Sequence, residues 1–170
     1  SVCEMEMVQI KGVDSTLRET ALHLAAGAKL IVTERLMTHG AQTARSNIDV
    51  FLDGADASAQ IVSRSVARDV SEQVFYPRAV GNNRCKAHVQ CDSIIMDAAK
   101  IRSIPEIAAN PSEAQIVHEA ALGQALGVEG GDGQQVAVPA HDPLGGVAGV
   151  GDRVVALVLV DVLGGDHVVA

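Results

Sequence analysis

Apolar residues between Ala21 and His118 gather in short stretches of alternating or continuous β character. These are Ala21 to Leu24, Leu30 to Leu36, Asn47 to Leu52, Gln60 to Val66, Gln73 to Val80, His88 to Ile95, Ile101 to Ile107 and Gln115 to His118. Few segments repeat apolar positions at helical spacing for long enough to define a helix. Turn signals separate the runs, at Gly27, His39-Gly40, Asp53-Gly54, Gly81-Asn82-Asn83 and Asn110-Pro111. The pattern predicts eight short strands in an all-β body.

A weak repeat sharpens the expectation. A small residue, then Lys or Gln, then Leu or Ile opens an apolar run at Ala28-Lys29-Leu30, Ala59-Gln60-Ile61, Ala99-Lys100-Ile101 and Ala114-Gln115-Ile116, at intervals of 31, 40 and 15 residues. A β-solenoid produces such a signature, because each coil sets a small residue at a corner and an aliphatic one on the inward face. A β-sandwich also gives short strands, but it usually buries several aromatic rings. This chain has no Trp, one Tyr and two Phe, so a solenoid with an aliphatic, layered interior is the expected fold.

Composition adds a boundary. Residues 123–170 hold eleven of the sixteen glycines and one basic residue, Arg153, against six acidic ones. This predicts a core over 1–122 and an irregular Gly/Val-rich tail over 123–170, in which Val154 to Leu159 could form a strand. Gly145 to Gly151 has the wrong spacing for a nucleotide-binding loop, and the sequence contains no Gly-Lys-Ser/Thr phosphate loop. The net charge of −8 argues against nucleic acid or an anionic membrane as partner. Val154 to Val160 is the longest apolar run and is too short for a transmembrane helix. No signal-peptide pattern opens the sequence, so a cytoplasmic setting is expected, and three cysteines read as thiols rather than a disulfide framework.

Several segments carry a family resemblance: Gln9 to Ser15, Gly27 to Leu30, Thr38-His39-Gly40, Ile61 to Ala67, Gly81 to Cys85, Gln90-Cys91-Asp92-Ser93 and Ala114 to Ala120. In order and spacing, from about Met5 to Gly123, the chain resembles the SufB/SufD family, scaffold subunits of the Suf system for iron–sulfur cluster assembly. The resemblance implies a right-handed parallel β-helix, association as a homodimer or a SufB–SufD-type heterodimer, docking of the SufC-type ABC ATPase, and a non-enzymatic role. It also implies a transient Fe–S cluster at a subunit interface, with Cys91 matching the cluster cysteine, Glu119 a cooperating carboxylate and His118 the adjacent histidine. Cys85 lies in the Asn-Asn-Lys/Arg-Cys motif of short members and is a weaker metal candidate. Three departures stand out. Val117 replaces an acidic residue of longer SufB proteins, the upstream sulfur-receiving Gly-Cys motif is not in this sequence, and the helical segment expected after Gly123 gives way to the Gly/Val-rich tail.

Strand parity sorts these candidates. Val89, Cys91 and Ile95 share a face, so Cys91 reads by itself as a small buried hydrophobe and, with the resemblance, as a soft ligand. Cys85 shares that parity but lies about 20 Å away along an extended strand, which favours a structural role. His88 has the opposite parity. His118 and Glu119 point to opposite faces, so only one can share a face with Cys91, and Glu119 is the sharper expectation. Two further readings compete: a zinc-dependent solenoid enzyme using His23, His39, His88 or His118 at an interface, and a degenerate β-helix kept as an interaction surface. The first expects a regular hexapeptide repeat, which the sequence lacks.

Overall fold

The computed structural model describes residues 1–10, 12–125, 153–162 and 168–169, and every regular element among them is a β-strand. In chain order these are β1 (Val2–Gln9), β2 (Ser15–Leu24), β3 (Lys29–Thr38), β4 (Thr43–Leu52), β5 (Ala57–Ala67), β6 (Glu72–Gly81), β7 (Cys85–Met96), β8 (Lys100–Ser103), β9 (Glu106–Ala109), β10 (Ala114–Ala125), β11 (Arg153–Val162) and β12 (Val168–Val169). The chain alternates between two sheets, one ordered β12-β1-β3-β5-β7-β10 and the other β11-β2-β4-β6-β8, with β9 also on β6. The pairings are parallel, so each coil contributes one strand to each sheet. That arrangement is the expected parallel β-solenoid. Among the described residues no helix is long and apolar enough to cross a membrane.

The coil length differs from the irregular repeat read in the sequence. Leu30, Ala59, Ala87 and Ile116 stand in one row across the first sheet, 28 or 29 residues apart. Lys29 pairs with Ser58 rather than Gln60, and Lys100 lies in the other sheet beside Glu72. Two further differences have local causes. β1 has no apolar run to mark it, because its buried Cys3 and Met5 are flanked by exposed Glu4 and Glu6. The run from Ile101 to Ile107 is two strands, since Pro105 lacks the N–H that a continuous strand would donate. β11 includes the Val154 to Leu159 strand of the tail and pairs with β2, while the glycine run at 145–151 lies outside the described residues.

The corners show why the coils stack. Gly27 and Gly40 have φ of 67° and 59°, and the corresponding corners of later coils use Asp56, Asp69 and Asp97 at φ of 60°, 60° and 58°. Aspartate tolerates this left-handed region because its short side chain bonds locally. Asp69 accepts the Gly40 N–H at 2.7 Å and Asp97 accepts the Asp69 N–H at 3.0 Å, tying successive coils together. At the opposite corner a ladder runs from His23 to Asp53 (2.9 Å), Asn82 (2.6 Å) and Asn110 (2.7 Å). The interior between the sheets is aliphatic on one side, with Leu22, Leu24, Leu30, Val32, Ile48, Val50, Leu52, Ile61 and Val89 buried.

Candidate metal-ligating site in the last coil

Opposite that aliphatic half runs a polar seam. One inward row of the first sheet reads Met7, Glu34, Ser63, Cys91 and Ala120, and a row of the second reads Arg18, Ser46, Phe75 and Ser103. Glu34 is 1% exposed and accepts hydrogen bonds from Arg18 Nη1 at 2.7 Å, Ser46 Oγ at 2.6 Å and Ser63 Oγ at 2.8 Å. Arg18 also reaches Gln9 Oε1 at 3.5 Å. Glu34 shares parity with the buried Leu30 and Val32 on β3, so alternation alone points it inward. A charged residue at a core parity position was the available signal.

Cys91 is the last polar member of this row, next to Ala120 at its end. It is 4% exposed, and its Sγ lies 3.4 Å from Nε2 of His118 on β10. The register explains the contact: Ala120 pairs with Cys91 and His118 with Val89, which turns both β10 residues toward the interior. Burial pushes the Cys91 thiol above its ordinary pKa. The Ser103 hydroxyl opposes that shift, while the charges of Asp92 and Glu34 add smaller upward contributions. Ser103 Oγ is itself buried with no hydrogen-bond partner of ordinary geometry. Burial, then the charge of His88, pulls His118 below the usual histidine range, favouring the neutral imidazole that can ligate a metal.

The remaining candidates separate from this pair. Glu119 pairs with Gln90 in the register and faces outward, where its Oε2 lies 3.4 Å from His88 Nε2. Cys85 is buried near the other end of β7, facing Gly81 and Ala114, and Cys3 is buried in the first coil. His23 is held by Asp53 and stacks on Phe51 with ring centroids 4.5 Å apart. His39 lies at the corner after β3, His23 is on β2, and His88 and His118 face opposite sides of their sheet, so these four histidines do not converge within the chain. Among the described residues no three His, Cys, Asp or Glu side chains form a metal-holding group. Cys91 and His118 offer two ligands, and their 3.4 Å separation is close to the spacing of roughly 3.5 Å for S and N ligands sharing one tetrahedral ion at ordinary bond lengths.

Buried thiols also give a pH signature. Burial raises Cys3, Cys85 and Cys91 above the ordinary thiol pKa. Their neutral forms favour the folded state, a contribution fully present below the unfolded thiol value of about 8.5 and lost as pH rises through the higher folded values. Above that unfolded value the unfolded chain holds fewer thiol protons, so stability falls with pH. Urea unfolding from pH 7 to pH 10 should show a falling midpoint, with a shallower slope in Cys3→Ala/Cys85→Ala.

The architecture defines a class: a parallel β-solenoid with a thiol–imidazole pair between β7 and its edge strand β10. The family model for the SUF system FeS cluster assembly SufBD core domain matches residues 2–125, and the chain belongs to that family. An iron–sulfur cluster assembly SufBD family protein of Methanothermobacter thermautotrophicus is 32% identical over 77 residues, covering 44% of this chain and 19% of the relative. Another, of Methanocaldococcus jannaschii, is 32% identical over 93 residues, covering 54% of this chain and 29% of the relative. The matched part is thus a minor share of either relative's length.

Proposed function

We propose that this chain is a non-enzymatic scaffold of iron–sulfur cluster assembly that holds a nascent cluster on Cys91 and His118. The observation that carries the reading is the 3.4 Å Cys91–His118 contact inside the coil next to β10. A thiolate supplies the soft ligand that iron–sulfur clusters require, and imidazole is an accepted second ligand. The cluster is cargo in this scheme. A site with only two ligands per chain, one of them a thiol that must lose its proton on loading, favours release as well as capture.

Two ligands are too few for a closed cluster site, which makes a second subunit part of the proposal. β10 is the twelve-residue edge of its sheet, bonded to β7 alone among the described strands. Such an edge offers a row of backbone donors and acceptors to another strand. The corresponding edge of the other sheet is interrupted by Pro105 between β8 and β9, so edge pairing favours β10 and brings two Cys91–His118 pairs toward one interface. The partner is a second copy or a SufB–SufD-type paralogue, working in the cytoplasm with a SufC-type ABC ATPase, as the family's membership of the SUF system suggests. Glu119 faces away from Cys91 within the chain, so the proposed first ligands are Cys91 and His118.

Anaerobic reconstitution with iron and sulfide tests the assignment. Wild type should acquire sulfide-to-iron charge-transfer absorption, and Cys91→Ser should lose nearly all of it. An unchanged spectrum in the variant would reject Cys91 as the anchor. Sedimentation of the reconstituted homomeric protein should give twice the chain mass, and a cluster-bearing monomer would remove the shared-site element.

A further inference from the structure

We propose that β11 is a self-pairing edge strand, along which a second copy of the chain adds antiparallel across a twofold axis at Leu157. The site lies on the second sheet, at the opposite end of the stack from β10. It goes beyond the cluster reading and does not rest on it.

The topology leaves this edge open. β11 follows β2 in parallel register along its whole length, from Arg153 beside Ser15 to Val162 beside Leu24, and is bonded to no other described strand. Its other side offers a row of backbone donors and acceptors. Natural sheets blunt such edges with proline, lysine, bulges or very short strands, and two other edges here do so: Pro105 separates β8 from β9, and β12 has two residues. β11 carries none of these devices. It holds no glycine or proline, and eight of its ten residues are apolar.

Charge placement selects the partner and its direction. Arg153 and Asp161 are the only charged residues of β11, with Leu157 midway between them. An antiparallel pair centred on Leu157 sets each Arg153 opposite the Asp161 of the other copy, with aliphatic positions between, and opposite charges directly across strands are favourable. Parallel in-register pairing would set Arg153 on Arg153 and Asp161 on Asp161, which is unfavourable. The strand is therefore complementary to itself about a twofold axis, which closes a dimer. A single strand pair with exposed charges holds weakly. The dimer thus dissociates on dilution, and sedimentation of dilute reconstituted protein reports the β10 edge alone.

Single cysteines placed along β11 of the metal-free full chain test the pairing. Under mild oxidation Leu157→Cys should cross-link two chains, because position 157 faces itself within the Cα range of a disulfide, about 4.4–6.8 Å. Val155→Cys and Leu159→Cys should not, since each faces the other position and lies roughly 13 Å from its own copy. Native Cys3, Cys85 and Cys91 are buried, so wild type gives the uncrosslinked baseline. Equal cross-linking at all three positions overturns the proposal, as does a monomeric mass for the unsubstituted metal-free chain in sedimentation up to about 1 mM. Arg153→Asp should weaken association about fivefold or more, and Arg153→Asp/Asp161→Arg should restore it, because the exchange keeps the opposed pairs. A double variant that stays as weak as the single one rejects the twofold register. None of these substitutions touches Cys91, His118 or β10, so the cluster reading stands or fails by its own absorption spectrum.

Discussion

Arg18→Met lowers stability by about 3–5 kcal/mol, the usual cost of leaving a buried partner charge uncompensated. Arg18 supplies the cation that balances the Glu34 carboxylate, which is 1% exposed and otherwise held by the Ser46 and Ser63 hydroxyls. Without the guanidinium that buried carboxylate keeps only the two serine hydroxyls as partners. At about 2–4 °C per kcal/mol for a chain of this size, the melting temperature should fall by roughly 6–20 °C. Arg18→Met/Glu34→Leu should recover most of the loss, because removing both partners spares the desolvation penalty of the survivor. Thermal melts of the two single variants and the double variant measure the coupling. Additive losses would show that Arg18 acts through packing of its aliphatic stem instead.

Gly54→Ala is the second large effect, and its cause is backbone. A Cβ at residue 54 would lie 1.9 Å from the Ala26 nitrogen and 2.4 Å from the Ala26 Cα of the preceding coil. No side-chain rotation relieves that overlap. The corner must open, disturbing the bonds from the Asp53 and Gly54 N–H groups to Leu24 O at 3.1 and 3.0 Å. The expected loss exceeds about 4 kcal/mol, in the range reserved for specific structural failures, and should appear as poor soluble yield and an early urea midpoint. Gly123→Ala is the matched control. Its Cβ would meet only Ser93 O, at 3.8 Å, an ordinary contact, and stability should hardly change. Equal effects at the two positions would mean that the close approach of the coils at Gly54 is not what requires glycine.

These two sites differ in how far the sequence revealed them. Asp53-Gly54 is readable as a turn because Gly and Asp carry turn chemistry locally. That the turn presses against Ala25 and Ala26 of another coil is set by stacking, and no local pattern reports it. Glu34 stands at a position of core parity in an apolar run, yet its partner lies sixteen residues earlier on a strand hidden by its own polarity. Thr16, Arg18 and Thr20 all break the apolar pattern of β2, which is why only Ala21 to Leu24 registered as a strand. The true period of 28 or 29 residues was similarly obscured. The row through Lys29, Ser58, Lys86 and Gln115 keeps a polar residue facing outward but no constant residue type.

By itself the sequence determined the β character of the chain and its layered aliphatic interior, because alternation and turn residues act over a few neighbouring positions. It also determined that His118 and Glu119 must face opposite sides, since successive side chains of a strand alternate. Which of them joins Cys91 was decided only by the tertiary structure. The pairing of Ala120 with Cys91 turns His118 inward to the thiol and Glu119 outward to His88, and a slip of one residue would exchange them. Register between strands some 29 residues apart depends on corner geometry and packing across the whole coil, so the choice between the two neighbours belongs to the assembled solenoid.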